Sequence, residues 1–315
     1  MTATILAARA LTFRYGDVVG VAGLTLNVSE GRRLAIVGAN GAGKTTLLLH
    51  LNGTHRPVAG TVLLRDVPVT YDRRGLTTLR TAVGLVFQNP DDQLFAGSVY
   101  QDVSFGPLNI GLPEEEARGR VEEALEALEI SHLRDRPTHM LSYGQKKRAA
   151  IAGAVAMRPD VLILDEPMAG LDPSGSWHLM GVLTRLHEAG TTLVVATHDM
   201  SLAYEWADEV AVLREGAIVA HGEPQDVMHD PAELAHCGLR VPWVADLSQT
   251  LRDCGVLPPD VPAPRTRDEL KELIVRRCAV TQADAAGDLP AVVLAGMTAD
   301  TTGARSDGCA ADPRR

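Results

Sequence analysis

Gly38 to Thr45 reads GANGAGKT and fits the spacing G-x-x-x-x-G-K-[ST]. The chemistry such a stretch can do is phosphate binding. Its glycines let successive backbone N–H groups wrap an anion, Lys44 reaches terminal phosphates, and the Thr45 hydroxyl is a ligand for Mg2+. Further on, VLILDEP is apolar until it ends in Asp165 and Glu166. A carboxylate at the C-terminal end of a strand is placed to hold the water shell of Mg2+, and the next acid to polarise an attacking water. Between the two, LSYGQKKRAAIAG puts Ser142 at the entrance of a helix. That turn offers an anion a hydroxyl, backbone N–H groups and a positive dipole end. Taken singly, each stretch also fits a bland reading: a Gly-rich turn, a strand with solvated acids at its end, a polar helix start.

These side chains need rigid elements behind them. RRLAIVG is a short buried strand leading into the glycines, and a helical pattern runs from Lys44 to Leu51. That strand–loop–helix order is what a phosphate loop requires. Residues 5 to 37 read as strands, AVGLVFQ and TTLVVATHD as two more, and DVLILDEP as a central parallel strand. LPEEEARGRVEEALEALEI reads as a helix with Pro113 at its first position and three Glu in the first turn. Val121, Leu125 and Leu128 mark its buried face. PSGSWHLMGVLTRLHEAG is a helix stopped by Gly190, and DEVAVLREGAIVAHG is a hairpin about Glu215-Gly216. Strands alternating with helices imply an α/β core with a parallel sheet. Past about residue 240 the chain turns Pro-rich. Thr266 and Glu269 stand in capping-box spacing for one short helix, and the segment from about Thr281 reads as disordered.

Composition narrows the function classes. The 315 residues are 45% apolar, enough for a core without disulfides, and the net charge is -10. An acidic chain does not suit a general nucleic-acid binder. Cys237, Cys254, Cys278 and Cys309 form no CxxC pair and read as reduced, incidental thiols. No run approaches the roughly 18 apolar residues of a membrane span. The apolar start is broken by Arg9, so no secretory signal is expected and a cytosolic location is. His139, His178, His187 and His221 read as surface or packing residues, and Lys146 to Arg148 as a solvated helix face.

The set of motifs resembles the ATP-binding cassette ATPases over about residues 5 to 240, with every motif in family order. Leu141 to Gln145 is similar to the signature LSGGQ, with Tyr143 for the first Gly. Ala169 to Pro173 is similar to the D-loop, His198 to the switch histidine, Gln88 to the Q-loop glutamine, and Tyr15 to the aromatic that stacks on adenine. Met168 stands where the family usually has Thr. The resemblance implies a P-loop NTPase fold of the ABC type, with an antiparallel β subdomain, a helical signature subdomain and a short C-terminal extension. It implies ATP and Mg2+ as cofactors, with Thr45, Gln88 and Asp165 on the metal and Glu166 and His198 as the catalytic pair. The implied nucleotide contacts are Tyr15, Gly38, Ala39, Asn40, Gly41, Ala42, Gly43, Lys44, Thr45, Thr46 and Gln88. Ser142, Gly144 and Gln145 are implied to act on ATP held by the partner of a dimer.

One stretch narrows the resemblance. QNPDDQLF, Gln88 to Phe95, sets two acids beside Leu94 and Phe95. With SVYQDVSFGPLNIGLP behind it, it resembles the energy-coupling-factor class of importers, and within that class the cobalt-importer ATPases; the implied cargo is a transition-metal ion, cobalt favoured over nickel, or a vitamin. In that class this region faces a membrane scaffold subunit, so Leu94 and Phe95 are expected to supply contact area and Asp91 and Asp92 to pair with a basic partner residue. The expected protein is a peripheral ATPase on the cytoplasmic face of the membrane, paired with a second copy or a sister ATPase. Its link to the substrate-capture membrane subunit is indirect, and nucleic acid is not a partner. The expected boundaries are 5–240 for the ATP-binding domain, 241–280 for the extension and 281–315 for the tail. The rivals are the ATPase of another cassette transporter and a soluble cassette protein of DNA repair or translation.

Overall fold

β-branched residues and tight turns open the chain as a ribbon. In the computed structural model, which describes residues 3–258 and 260–284, β1 (Thr4–Tyr15) and β2 (Val18–Ser29) pair antiparallel across the turn at Gly16. β3 (Arg33–Val37) then leads through the glycine loop into α1 (Lys44–Leu51). β4 (Ala59–Leu64) pairs with β1 and with the short β5 (Val67–Pro68), which completes a four-stranded sheet of order β2-β1-β4-β5. α2 (Arg73–Ala82), capped by Asp72, precedes β6 (Val83–Val86).

A helical region follows. α3 (Val99–Asn109) is capped by Ser98, α4 (Glu114–Ala127) follows Pro113, and α5 (Tyr143–Val155) is capped by Ser142. The three pack on one another around Val103, Val121, Leu125 and Ile151, all buried. Truncating Leu125 or Ile151 to Ala costs roughly 2–5 kcal/mol. The chain then returns through β7 (Val161–Asp165), α6 (Pro173–Glu188), β8 (Thr192–Thr197), α7 (Met200–Trp206), β9 (Glu209–Arg214) and β10 (Ala217–Gly222).

The second sheet has the order β10-β9-β3-β8-β7-β6, parallel except for β10. Every residue of β7 and β8 is buried, as expected of strands covered on both faces. The β9–β10 turn lies at Glu215-Gly216, both with positive φ, the geometry of a type I′ hairpin. The N-terminal end of α1 and the C-terminal ends of β3, β7 and β8 therefore meet at one edge, where ligands of open α/β sheets bind.

Past β10 the chain is more ordered than its composition suggests. α8 (Pro224–Val227), α9 (Pro231–His236), α10 (Trp243–Asp253) and α11 (Arg267–Asp284) follow. α8, α9 and α10 were not foreseen. Val244, Leu257 and Leu270 join the main core, and the Arg265 guanidinium donates to the carbonyls of Tyr204 and Ala207. Tertiary docking orders this stretch where local pattern gave little sign. The Thr266 hydroxyl accepts from Glu269 N at 3.1 Å, but the Glu269 carboxylate returns to Arg265 N, one residue earlier than a capping box. α11 runs four residues into the segment read as tail. The rest of that reading lies outside the described residues.

Candidate functional site

The phosphate loop needs its glycines for space as well as for conformation. A Cβ on Gly38 would stand 2.5 Å from Leu213 O, and one on Gly43, at φ 106°, 2.4 Å from Gly20 O. The loop closes around Lys44, whose ammonium donates to Gly38 O at 2.7 Å and Ala39 O at 3.3 Å. Burial lowers the Lys44 pKa, with Glu166 and Asp165 pulling it back. Thr45 Oγ1 donates to Asp165 Oδ2 at 2.6 Å, across 120 residues of chain. Burial raises the Asp165 pKa, a shift opposed by the Thr45 bond.

Glu166 sits where the strand has ended, with φ at 43°. This left-handed conformation costs a residue with a side chain roughly 1–3 kcal/mol. Its surroundings hold it there. Glu166 N donates to Ala196 O at 2.9 Å, and Glu166 O accepts from Ala169 N at 3.1 Å and from Lys147 Nζ at 3.2 Å. One carboxylate oxygen faces His198 Nδ1 at 2.9 Å and the other accepts from Thr197 Oγ1 at 3.3 Å. A carboxylate only accepts, so this contact requires a proton on His198 Nδ1. Lys44 Nζ is 3.9 Å from Glu166 Oε1.

Lys44, Thr45, Asp165, Glu166 and His198 line one cleft of about 420 Å³. Of the residues expected at the nucleotide, Tyr15, Asn40, Gly41, Gly43, Lys44, Thr45, Thr46, Gln88, Asp165, Glu166 and His198 line it. Gly38 and Ala39 contribute the carbonyls that hold Lys44, and Ala42 is buried behind the loop. Tyr15 is half exposed at the rim. Its hydroxyl is 2.9 Å from His55 Nε2, and its ring meets Phe13 edge-on at 5.0 Å. The cleft suits a nucleoside triphosphate with Mg2+. A glycine cradle faces the anion, and a hydroxyl, an amide and a carboxylate are the oxygen donors. Mg2+ takes few protein ligands and prefers oxygen. Among the described residues no group of three His, Cys, Asp or Glu side chains is set to hold a metal.

Ser142, Gly144 and Gln145 do not line this cleft. Ser142 caps α5, accepting from Gln145 N, while the Gln145 side chain returns to Ser142 N at 3.0 Å. The reading of Lys146 to Arg148 as a solvated face is corrected. Lys146 pairs with Asp91 at 2.6 Å, and Lys147 is fully buried, its ammonium 2.6 Å from Gln88 O. Burial lowers the Lys147 pKa to about 8, against the pull of Asp165 and Glu166. Lys147 precedes Ala150, Ile151 and Ala154 at i+3, i+4 and i+7, so it stands on the apolar stripe of α5. That spacing was the signal that it faces inward. Asp91, expected with Asp92 to pair with a basic partner residue, also pairs with Lys146 within the chain and stays exposed. Thr197 and His55 were also missed, and each is recognisable only from its neighbour in space.

Comparison with known proteins agrees with this geometry. The ABC transporter family model matches residues 21–169. The chain is 57% identical over 267 residues, 84% of its length, to the cobalt import ATP-binding protein CbiO of Rhodobacter capsulatus, and covers 95% of that protein. It is 48% identical over 76% of its length to the energy-coupling factor transporter ATP-binding protein EcfA of Methanocaldococcus jannaschii, covering 87% of it. The solved structure of cbiO1 from Clostridium perfringens, described as part of the ABC transporter complex cbiONQ, is 44% identical. It superposes with a TM-score of 0.67 over 78% of this chain and 99% of that one. The fold is that of an ABC ATPase coupled to transport. Within that class the chain belongs to the ATP-binding proteins of the energy-coupling-factor type.

Proposed function

We propose that this chain hydrolyses ATP with Mg2+ to drive import of a transition-metal ion, cobalt by preference, through a membrane scaffold subunit. The observation that carries the hydrolytic part is the convergence of Lys44, Thr45, Asp165, Glu166 and His198 on one cleft. In this reading residues 5–240 form the ATP-binding unit and 241–280 an extension. Lys44 and the loop N–H groups hold the β- and γ-phosphates, and Tyr15 stacks on the adenine. Thr45, Asp165 and Gln88 hold Mg2+, which supplies charge neutralisation at the phosphates. Glu166 takes the proton of the attacking water, and His198 orients its carboxylate.

Ser142, Gly144 and Gln145 stand outside the cleft of their own copy, which supports a head-to-tail dimer in which they reach the partner's ATP. Exposed Phe95 and Phe105 meet edge-on at 4.8 Å, with Leu108 also exposed nearby in sequence, and form the proposed seat of the scaffold subunit. The chain works as a peripheral subunit at the cytoplasmic face, and among the described residues no helix is long and apolar enough to cross a membrane. Cobalt rests on the name of the Rhodobacter relative. The test is uptake by vesicles carrying the intact complex. Accumulation of cobalt in preference to nickel, dependent on ATP and abolished by Glu166→Gln, is expected, and indifference to cobalt removes the substrate assignment.

A further inference from the structure

The Lys147 ammonium touches the backbone at two points that matter to hydrolysis. It donates to Gln88 O at 2.6 Å and to Glu166 O at 3.2 Å. Gln88 opens the segment that leads to the exposed phenylalanine pair, and Glu166 is the acid held at positive φ. Lys147 itself belongs to α5, the helix that Ser142 caps. One buried cation thus bridges three elements: the signature helix, the Gln88 segment and the end of β7. Other contacts fasten the same helix to the same segment. Tyr143 Oη donates to Gln88 O at 3.2 Å, Lys146 pairs with Asp91, and the Gln93 amide donates to Ala150 O at 3.3 Å. Of these contacts, the Lys147 ammonium is the one that continues the bridge to Glu166.

A fully buried lysine carries a desolvation cost that a helix core does not need. Met would fill the same stripe without it. The lysine offers what Met cannot, donors to two carbonyls whose peptides flank the cleft. The Glu166 peptide is the one most in need of support, because its left-handed conformation persists only while its neighbours over-determine it.

We propose that Lys147 is a positioning residue for hydrolysis, fixing the Glu166 peptide and tying it to the Gln88 segment, so that displacement of that segment is felt at the acid. The proposal rests on Glu166 as the base. Lys147 is absent from the cleft lining, so its loss acts on turnover and not on nucleotide affinity.

The test compares Lys147→Met, which keeps the stem and removes the donors, with Lys147→Gln, which keeps two donors on a shorter arm. Both are made in the full chain assembled with its membrane partners. Readouts are kcat and KM for MgATP, the Kd of a fluorescent ATP analogue, and amide hydrogen exchange followed by mass spectrometry. The expected result is a fall in kcat of tenfold or more for Met, with KM and Kd within threefold, and partial recovery for Gln. Exchange should quicken in peptides covering both 86–90 and 165–170. A Met variant with parental kcat overturns the proposal. So does a Met variant whose kcat and Kd worsen together, or a failure of either variant to fold, since these place Lys147 in the framework alone. Glu166→Gln is assayed alongside. If it retains turnover, the base assignment fails, whatever Lys147 does.

Discussion

His198 Nδ1 lies 2.9 Å from Glu166 Oε1, and the two residues come from the ends of neighbouring parallel strands. The contact aims the carboxylate by a ring whose own strand is anchored by every residue of β8 being buried. Glu166→Gln keeps the shape of the acid and removes its basicity. Turnover should fall by about 100-fold or more, the scale of a lost general base. ATP binding should persist, and a closed dimer should accumulate on a sizing column. Near-parental hydrolysis would rule out Glu166 as the base.

The exposed Ser142 turn makes a second outcome specific. Lys44→Ala damages a copy's own phosphate loop, and Ser142→Arg places bulk and charge where the partner's γ-phosphate is expected. Each variant alone should fail to dimerise with ATP. In a mixture, both lesions fall on one site of the mixed dimer and leave the other intact. With Glu166→Gln in both chains to slow hydrolysis, the mixture should therefore recover ATP-dependent dimers. Behaviour equal to the average of the two components would count against a shared site between copies, and repeating the mixture with a sister ATPase would then be decisive.

Phe95 is 66% exposed and Phe105 52%, an unusual outlay of aromatic surface for two residues in mutual contact. Replacing both by Ala should reduce co-purification with the membrane complex at least tenfold and leave ATP binding unchanged, because neither lines the cleft. The triple change Asp91→Lys, Asp92→Lys and Phe95→Ala should release the chain as well. Part of its effect would come from breaking the Lys146–Asp91 pair, so Lys146→Met is the control. Full retention of the double alanine variant in the complex would move the docking surface elsewhere.

Arg33 and Asp208 form a bidentate, half-buried pair, with Nη2 to Oδ1 at 2.7 Å and Nε to Oδ2 at 3.2 Å. Burial opposes the Asp208 charge, but the Arg33 side chain and backbone N–H donate to it, and the net effect lowers its pKa. A carboxyl whose folded pKa is depressed contributes stability above its unfolded value, near 3.8, and that contribution disappears as pH falls through the folded value. Asp208→Asn should therefore cost about 2 kcal/mol near neutral pH. The gap to the parent should narrow as pH drops below about 4. Urea unfolding at pH 7 and at pH 3.5 measures it, and a gap that does not change with pH would contradict the charge-based account.

Much of the site was legible in the linear chain because its chemistry is written in short spacings. Gly38 to Thr45 must bend around an anion, Asp165 and Glu166 must follow an apolar strand, and Ser142 must begin a helix. Each of these requirements is satisfied within a few residues, so residue type and spacing reveal them. Local pattern and end signals likewise marked α1, α4, α5, α6 and the strands of the parallel sheet, but not α2, α3 or α7. The tertiary structure alone decided which distant groups meet. The order of β3, β8 and β7 brings Thr45 to Asp165 and Glu166 to His198. The apolar stripe of α5 already marked Lys147 as inward-facing, but only the packing of α5 against the Gln88 segment gives its ammonium Gln88 and Glu166 as partners and sets Lys146 on Asp91. The docking of Val244, Leu257 and Leu270 orders an extension whose Pro-rich composition suggested little structure. The physical reason is the same in each case. A hydrogen bond or apolar contact between residues tens of positions apart depends on strand order and helix packing, which no local spacing carries.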